Sequence, residues 1–381
     1  MEQVDALLEW AEERGIRYNG IIPKHLPGRG VGVVVTRDVK PGEIILEVPT
    51  SNLRSVETVP KHVRAKLPKD LSVQGLLAAD LALDDTDKYT AWNAVCPSLA
   101  DFSSMPLLWP PSLQSLLPGP ARKLLSMQQA KLAKDRAAVA AAFPDLYDAD
   151  RYTHGWLLAN TRTFSYNSPR RQRSRREEDR TVLQPVADLL NHADAGVCDV
   201  AFGDAAFTVR ADRAYKPGDE VHICYGRHGG DFLMVEYGFA MAENRWDEAG
   251  LDDVVLPALE GTGADVREML EDRGFLGGYV LDSSQVCYRT QVALRTLCCS
   301  KREWSRFVDG MDDGERSQRK VDELLVELLG KYMSIARERI SDAEGLQDGE
   351  PCQRDLLAAR WGHILRLVEG TVERLRAEMD S

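Results

Sequence analysis

The chain has 381 residues, 44% of them hydrophobic, enough for a sizeable core and suggestive of two domains. Its formal charge of -12 at pH 7 excludes a general nucleic-acid binder, which needs a positive field to meet phosphates. The 7 cysteines are odd in number and form no C-x-x-C pair, which excludes a disulfide framework and a cysteine zinc cage.

The opening Met1-Glu-Gln-Val-Asp5 has neither a secretory signal's layout nor a transit peptide's Arg- and Ser-rich character. No apolar run reaches the length of a membrane span. The chain therefore reads as cytoplasmic, with the plastid stroma as the alternative for a trimmed form. Residues 4–14 place Val4, Leu7, Leu8 and Ala11 on one face of a short amphipathic helix. Next comes Leu26-Pro-Gly-Arg-Gly-Val-Gly-Val-Val-Val-Thr36. A dinucleotide loop must run from a strand into a helix. Here four β-branched residues, Val33 to Thr36, follow the glycines and predict a strand. The glycines instead let a ligand approach bare backbone.

In Val39-Lys-Pro-Gly-Glu43, Pro and Gly stand where a type II turn requires them, ahead of a strand over 44–48. The device recurs at Tyr215-Lys-Pro-Gly-Asp219, before a strand over 220–225. A small mixed sheet assembled from distant parts of the chain is expected. Between the two turns, 57–156 reads as a helical insertion, with Leu125, Leu132 and Val139 spaced by seven. Arg162 follows on the stretch 151–164. The run Pro169-Arg-Arg-Gln-Arg-Ser-Arg-Arg176 then gives way to Glu177-Glu-Asp179; it is either a solvated loop or a contact for an acidic protein substrate.

Val186-Ala-Asp-Leu-Leu-Asn-His-Ala-Asp-Ala-Gly196 is an apolar run that ends abruptly in Asn191-His192. Both side chains donate and accept hydrogen bonds, which suits a polar ligand held in one orientation. A simple turn would also account for them. Gly203-Asp204 marks a hairpin between 197–202 and 206–210. Val221, Ile223 and Tyr225 share one strand face. Tyr237-Gly-Phe239 sets two aromatics around a glycine, and core packing alone would explain them. From about 245 the pattern is helical. Val321, Leu325, Leu328 and Tyr332, then Leu357, Trp361, Ile364 and Val368, keep helical spacing and predict a separate all-α domain.

Together the pieces resemble a SET-domain methyltransferase and, more narrowly, the Rubisco large-subunit methyltransferase family. The resemblance rests on Gly28-Arg-Gly-Val-Gly32, Ala159-Asn-Thr-Arg162, Asp188-Leu-Leu-Asn-His192, Glu220-Val-His-Ile-Cys-Tyr-Gly226 and Tyr237-Gly-Phe239, in that order. It covers nearly the whole chain. Each motif is weak alone, and the ordered set is specific. It implies an α+β fold: a SET domain over 1–244 with its helical insertion at about 57–156, then an all-α substrate-binding domain over 245–381. It also implies that the Asn191-His192 and Tyr225 segments thread as a pseudoknot.

The resemblance further implies S-adenosyl-L-methionine as methyl donor and a protein side-chain nitrogen as acceptor, with no metal. The protein substrate would be bound partly through the C-terminal helices, and neither nucleic acid nor membrane would be a partner. The backbone of Arg29, Gly30 and Val31 would hold the donor, and the Arg162 guanidinium would fork its carboxylate. Asp188, Asn191 and His192 belong to the donor site, the last two at its adenine or amino-acid end. Phe239 and Tyr237 would pack at the donor. Tyr225 and Tyr237 would be the catalytic pair lining the acceptor channel. No general base is evident. A lysine acceptor must shed a proton held at a reference pKa of about 10.4, which burial among aromatics lowers. The rivals are a protein-histidine methyltransferase of the same family and a catalytically silent binding protein. Tyr237 favours lysine: the family's lysine-directed members open this segment with tyrosine. A wider imidazole would also need its second nitrogen held.

Overall fold

The β-branched run after the glycines can pair only if the chain reverses just before it. In the structure, a computed structural model that describes residues 2–170, 180–261 and 264–380, the strand Gly30–Val35 folds back on Ile21–Leu26, with Leu26 opposite Gly30. The partner strand carries Pro23, Lys24 and His25, so its own pattern does not read as a strand. The basic run lies, from Arg171 on, outside the described residues.

Both Lys-Pro-Gly turns form with their glycines left-handed, Gly42 at φ 80° and Gly218 at φ 95°, as a type II turn requires. The two turns meet: Val39 and Tyr215 exchange backbone hydrogen bonds of 3.1 and 3.0 Å, and the Val221 amide donates to Val33 O at 2.9 Å. The glycine hairpin therefore lies beside the segment that leads to Tyr225.

The expected sheet from distant parts exists as several small ones. One runs in the order Arg17–Tyr18, Ile44–Pro49, Ala206–Arg210, Asp199–Phe202. Another has Arg54–Ser55 and Thr163–Ser165 on either side of Thr181–Leu183. Among the described residues one pairing is parallel: Asn191–His192 with His222–Ile223. The strand expected over 220–225 is regular only at His222–Ile223, with a bridge from Glu220 to Val34.

The described chain forms two compact units: Met1–Ser103 with Met127–Arg227, and Ser104–Ser126 with His228–Ser381. In the first, the helices Val73–Leu83 and Ala149–Arg162 pack closely at Gly155, where a Cβ would come within 2.9 Å of Ala78 O. The core of this unit gathers Leu7, Val33, Val35, Ile45, Val48, Leu190, Phe207 and Ile223. Each such side chain contributes about 1.5–3 kcal/mol by leaving water. In the second unit the helices Glu315–Gly345 and Pro351–Asp380 bury Val321, Leu325 and Tyr332 with Leu357, Trp361 and Ile364. Tyr332 meets Trp361 edge-on at 6.2 Å. Among the described residues the regular structure of the C-terminal region is helical apart from one short antiparallel pair, Glu248–Gly250 with Val280–Asp282. No helix among the described residues is long and apolar enough to cross a membrane.

Candidate functional site

The approach to Asn191 is strained. Val186 sits at φ 68°, the one described non-glycine residue at positive φ, and leads into the 3-10 turn Ala187–Leu189. A β-branched residue there costs about 1–3 kcal/mol. The strain is held by burial, since Val186, Leu189 and Leu190 all lie in the core. The turn delivers Asn191 and His192 into the parallel pairing, where Asn191 faces His222 and His192 faces Ile223.

Tyr225 lies just beyond that pairing and is tied to it twice. Its backbone N–H donates to His192 Nδ1 at 3.1 Å, and its hydroxyl donates to Leu190 O at 2.8 Å. The two rings lie 5.1 Å apart at 33°. With Nδ1 accepting, the neutral His192 ring carries its proton on Nε2. With its proton given to Leu190 O, the Tyr225 oxygen is left with lone pairs to accept.

One carboxylate joins the glycine hairpin to this pairing. Glu220 Oε1 accepts from Asn191 Nδ2 at 2.8 Å, and Oε2 lies 2.7 Å from Arg29 Nη1 and 3.4 Å from His222 Nε2. Burial holds the His222 imidazole below its ordinary range, although Glu220 pulls the other way. A Cβ on Gly32 would be crowded here: it would fall 2.5 Å from Leu26 Cδ1 and 2.8 Å from both Asn191 Nδ2 and Glu220 Oε1. Gly28 and Gly30, at φ 73° and 69°, have nothing within 4 Å of a Cβ position, so bare backbone faces open space between them. Sequence reasoning named Arg29, Gly30, Val31, Asn191 and His192 and missed Glu220 and His222. The signal was available, because the alternation that buries Val221 and Ile223 turns Glu220 and His222 to the opposite face.

Arg162 ends the helix Ala149–Arg162 and donates from Nη1 to Asp188 O at 2.5 Å, with the Asp188 carboxylate 3.9 Å away. That carboxylate accepts from Trp92 Nε1 at 3.0 and 3.3 Å. Burial pushes its pKa up to about 6, against the opposing pull of Arg162 and Trp92. Asp188 thus sits beneath Arg162 and anchors it, with no exposed carboxylate surface of its own.

These residues fit S-adenosyl-L-methionine. Arg162 Nε is buried with no hydrogen-bond partner among the described residues, a donor left unsatisfied that a carboxylate would pair, and the Arg162 side chain as a whole is 18% exposed. The open backbone at 28–30 and the amide of Asn191 supply the polar contacts an adenosine or amino-acid moiety takes. Among the described residues no group of His, Cys, Asp or Glu is arranged to hold a metal ion.

Tyr237 and Phe239 belong to the second unit. Tyr237 ends a π-helical turn, Leu233–Tyr237, a distortion common at functional sites. Gly238 follows at φ 77°, and a Cβ there would lie 2.8 Å from Met105 Cγ and from Ser104 Oγ. The Tyr237 ring lies about equally far from its neighbours: 6.2 Å from Phe239, 6.3 Å from Phe232 and 6.3 Å from His228, which itself stacks on Phe232 at 4.2 Å. Burial, then the charge of Glu236, pushes the Tyr237 hydroxyl up to about 12, so it stays protonated.

Just before this turn, Asp231 accepts from Arg360 Nε at 2.7 Å. Arg360 Nη1 reaches both oxygens of Asp247 at 2.9 and 2.8 Å, and its Nη2 reaches Glu248 O at 2.7 Å. Nothing in the sequence marked Arg360, which lies on the apolar-patterned last helix. Burial works against its charge, and Asp231 and Asp247 outweigh burial and hold it fully protonated.

Two family models match the chain: SET domain over residues 30–226, and Ribosomal lysine N-methyltransferase 2 C-terminal domain over residues 249–377. Ribosomal lysine N-methyltransferase set11 of Schizosaccharomyces pombe is 24% identical over 364 residues, which cover 91% of this chain and 92% of that protein. SET domain-containing protein 4 of Mus musculus is 23% identical, covering 97% of this chain and 90% of its own length. Among solved structures, Rubisco LSMT bound to sinefungin and monomethyllysine superposes with a TM-score of 0.64 at 18% identity, over 100% of this chain and 93% of that one.

Proposed function

Because the chain belongs to the SET-domain family, we propose that it is an S-adenosylmethionine-dependent protein-lysine N-methyltransferase whose acceptor is a non-histone, ribosomal protein. The observation that carries the reading is the Tyr225 hydroxyl, fixed on Leu190 O at 2.8 Å at the end of the parallel Asn191–His192 pairing. The bound donor supplies an electrophilic methyl group on a sulfonium centre. Tyr225 Oη, its own proton committed, accepts an N–H of the incoming amine and aims the amine lone pair. Methyl transfer needs an in-line approach, so this positioning supplies much of the rate. Desolvation favours the neutral amine over the ammonium, whose proton passes to solvent water before methyl transfer, so no dedicated base is required. Tyr237, protonated throughout the physiological range, can act as a hydrogen-bonding hydroxyl but not as a base. Arg162 holds the donor carboxylate, while Asn191, His192 and the backbone of 29–31 hold the rest.

The ribosomal acceptor is supported by the C-terminal family model and by the yeast relative's name. Charge supports it independently. Residues 228–381 contain 31 acidic and 19 basic residues, against 29 and 29 in 1–227, so the whole net charge of -12 falls on the C-terminal part. A basic protein is the partner that such a field draws in and orients. The proposal gives the C-terminal helices the role of substrate recognition and places the enzyme in the cytoplasm with its acceptor. The test is incubation with labelled S-adenosylmethionine and purified ribosomal proteins, followed by mass spectrometry. A methyl group on a lysine ε-nitrogen of one such protein is expected. Label on a histidine ring, or none at all, overturns the reading.

A further inference from the structure

We infer that Glu220 is a positioning residue for donor binding, holding the Asn191 amide and the glycine hairpin in register; the inference rests on the donor site proposed above. Three separate parts of the chain converge on its carboxylate: the hairpin tip through Arg29, the Asn191–His192 segment through the Asn191 amide, and its own segment through His222. The Glu220 side chain is 9% exposed, and the Arg29 side chain is 59% exposed.

The chemistry of the carboxylate decides which way Asn191 points. An ionised carboxylate only accepts, so it takes the Nδ2 end of the amide and leaves Oδ1 turned away as an acceptor. A neutral amide in place of Glu220 could pair with either end, and the orientation of Asn191 would no longer be fixed. Gly32 completes the arrangement. A Cβ there would crowd Leu26 Cδ1 at 2.5 Å as well as Asn191 Nδ2 and Glu220 Oε1 at 2.8 Å, so the pair shares with Leu26 the space that glycine vacates. On the other oxygen, Arg29 pairs at 2.7 Å from the exposed tip. Exposed ion pairs contribute little to stability. The consequence of this one is positional: it ties the tip, with the open backbone at Gly28 and Gly30, to the element that carries Asn191.

The experiment is calorimetric titration with S-adenosylhomocysteine of the wild type, Glu220→Gln, Asn191→Ala and the double variant, with melting temperatures alongside. Glu220→Gln is expected to weaken binding about tenfold. The double variant is expected to bind worse than the weaker single by no more than the several-fold that loss of the Arg29 pair gives, and by less than the product of the two single effects, because Glu220 acts in part through Asn191. A purely structural role would lower the melting temperature and give effects that multiply. Arg29→Gln touches only an exposed side chain and should weaken binding several-fold at an unchanged melting temperature. It answers the question even if Glu220→Gln folds poorly. Wild-type affinity in Glu220→Gln or in Arg29→Gln, or multiplying effects in the double variant, overturns the inference. Failure of the wild type itself to bind the probe would instead overturn the proposed donor site.

Discussion

Replacing Asp188 by Asn should change how the protein's stability depends on pH, in a direction the structure dictates. The carboxylate has no exposed surface, and burial raises its pKa from 3.8 to about 6 despite Arg162 and Trp92. Between those values the folded chain binds this proton more tightly than the unfolded chain does. The stability contributed by the group is therefore fully present below its unfolded pKa and is lost as pH rises through about 6. At about 1.36 kcal/mol per pKa unit, the loss is on the order of 3 kcal/mol. Asparagine keeps an oxygen for Trp92 Nε1 and does not titrate. Urea unfolding of both proteins between about pH 4.5 and about pH 7.5 measures the effect, since other titrating groups cancel in the difference. Wild-type stability minus variant stability should fall across this range. A difference that is flat, or that rises with pH, would refute the argument that burial dominates at Asp188.

Arg360→Ala strands two buried carboxylates, Asp231 and Asp247, and should cost about 3–5 kcal/mol in a urea titration; a loss below about 1 kcal/mol would contradict the clamp. Gly238→Ala places a Cβ 2.8 Å from Met105 Cγ at a φ of 77°. It should cost about 1–3 kcal/mol and lower kcat through its neighbour Tyr237, and full kcat would argue against a role for that tyrosine. Gly32→Ala drives a Cβ against Leu26 Cδ1, Asn191 Nδ2 and Glu220 Oε1 and should raise the Kd for S-adenosylhomocysteine, which calorimetry reads directly.

What the sequence disclosed was local. Pro41-Gly42 and Pro217-Gly218 announced their turns because proline and glycine restrict the backbone by themselves. Val33 to Thr36 announced a strand, and the spacing of Leu325, Leu328, Tyr332, Leu357 and Trp361 announced the two long helices, because periodicity is written in neighbouring residues. The segments bearing Asn191, His192 and Tyr225 stood out by motif. Their parallel pairing did not, because strands of two residues have no period to read and parallel partners come from distant parts of the chain. The polar connections were hidden for the same reason. Trp92 and Asp188 lie 96 residues apart, and Arg360 and Asp231 lie 129 apart. An arginine within a helical pattern reads as solvent-facing until its partners are known, and Glu220, alternating with Val221 on the expected strand, reads as the solvent face of that strand until Asn191 and Arg29 are found beside it.

The most direct measurement is the single-turnover rate of Tyr225→Phe on a lysine-bearing protein substrate, with donor affinity measured in parallel. Phenylalanine keeps the ring beside His192, 5.1 Å away, and the backbone N–H bond to Nδ1. It removes only the hydroxyl bound to Leu190 O. The account predicts unchanged donor affinity and a rate lower by about a hundredfold or more, as expected when a group that aims the reacting atoms is lost. Transfer at the wild-type rate would contradict it.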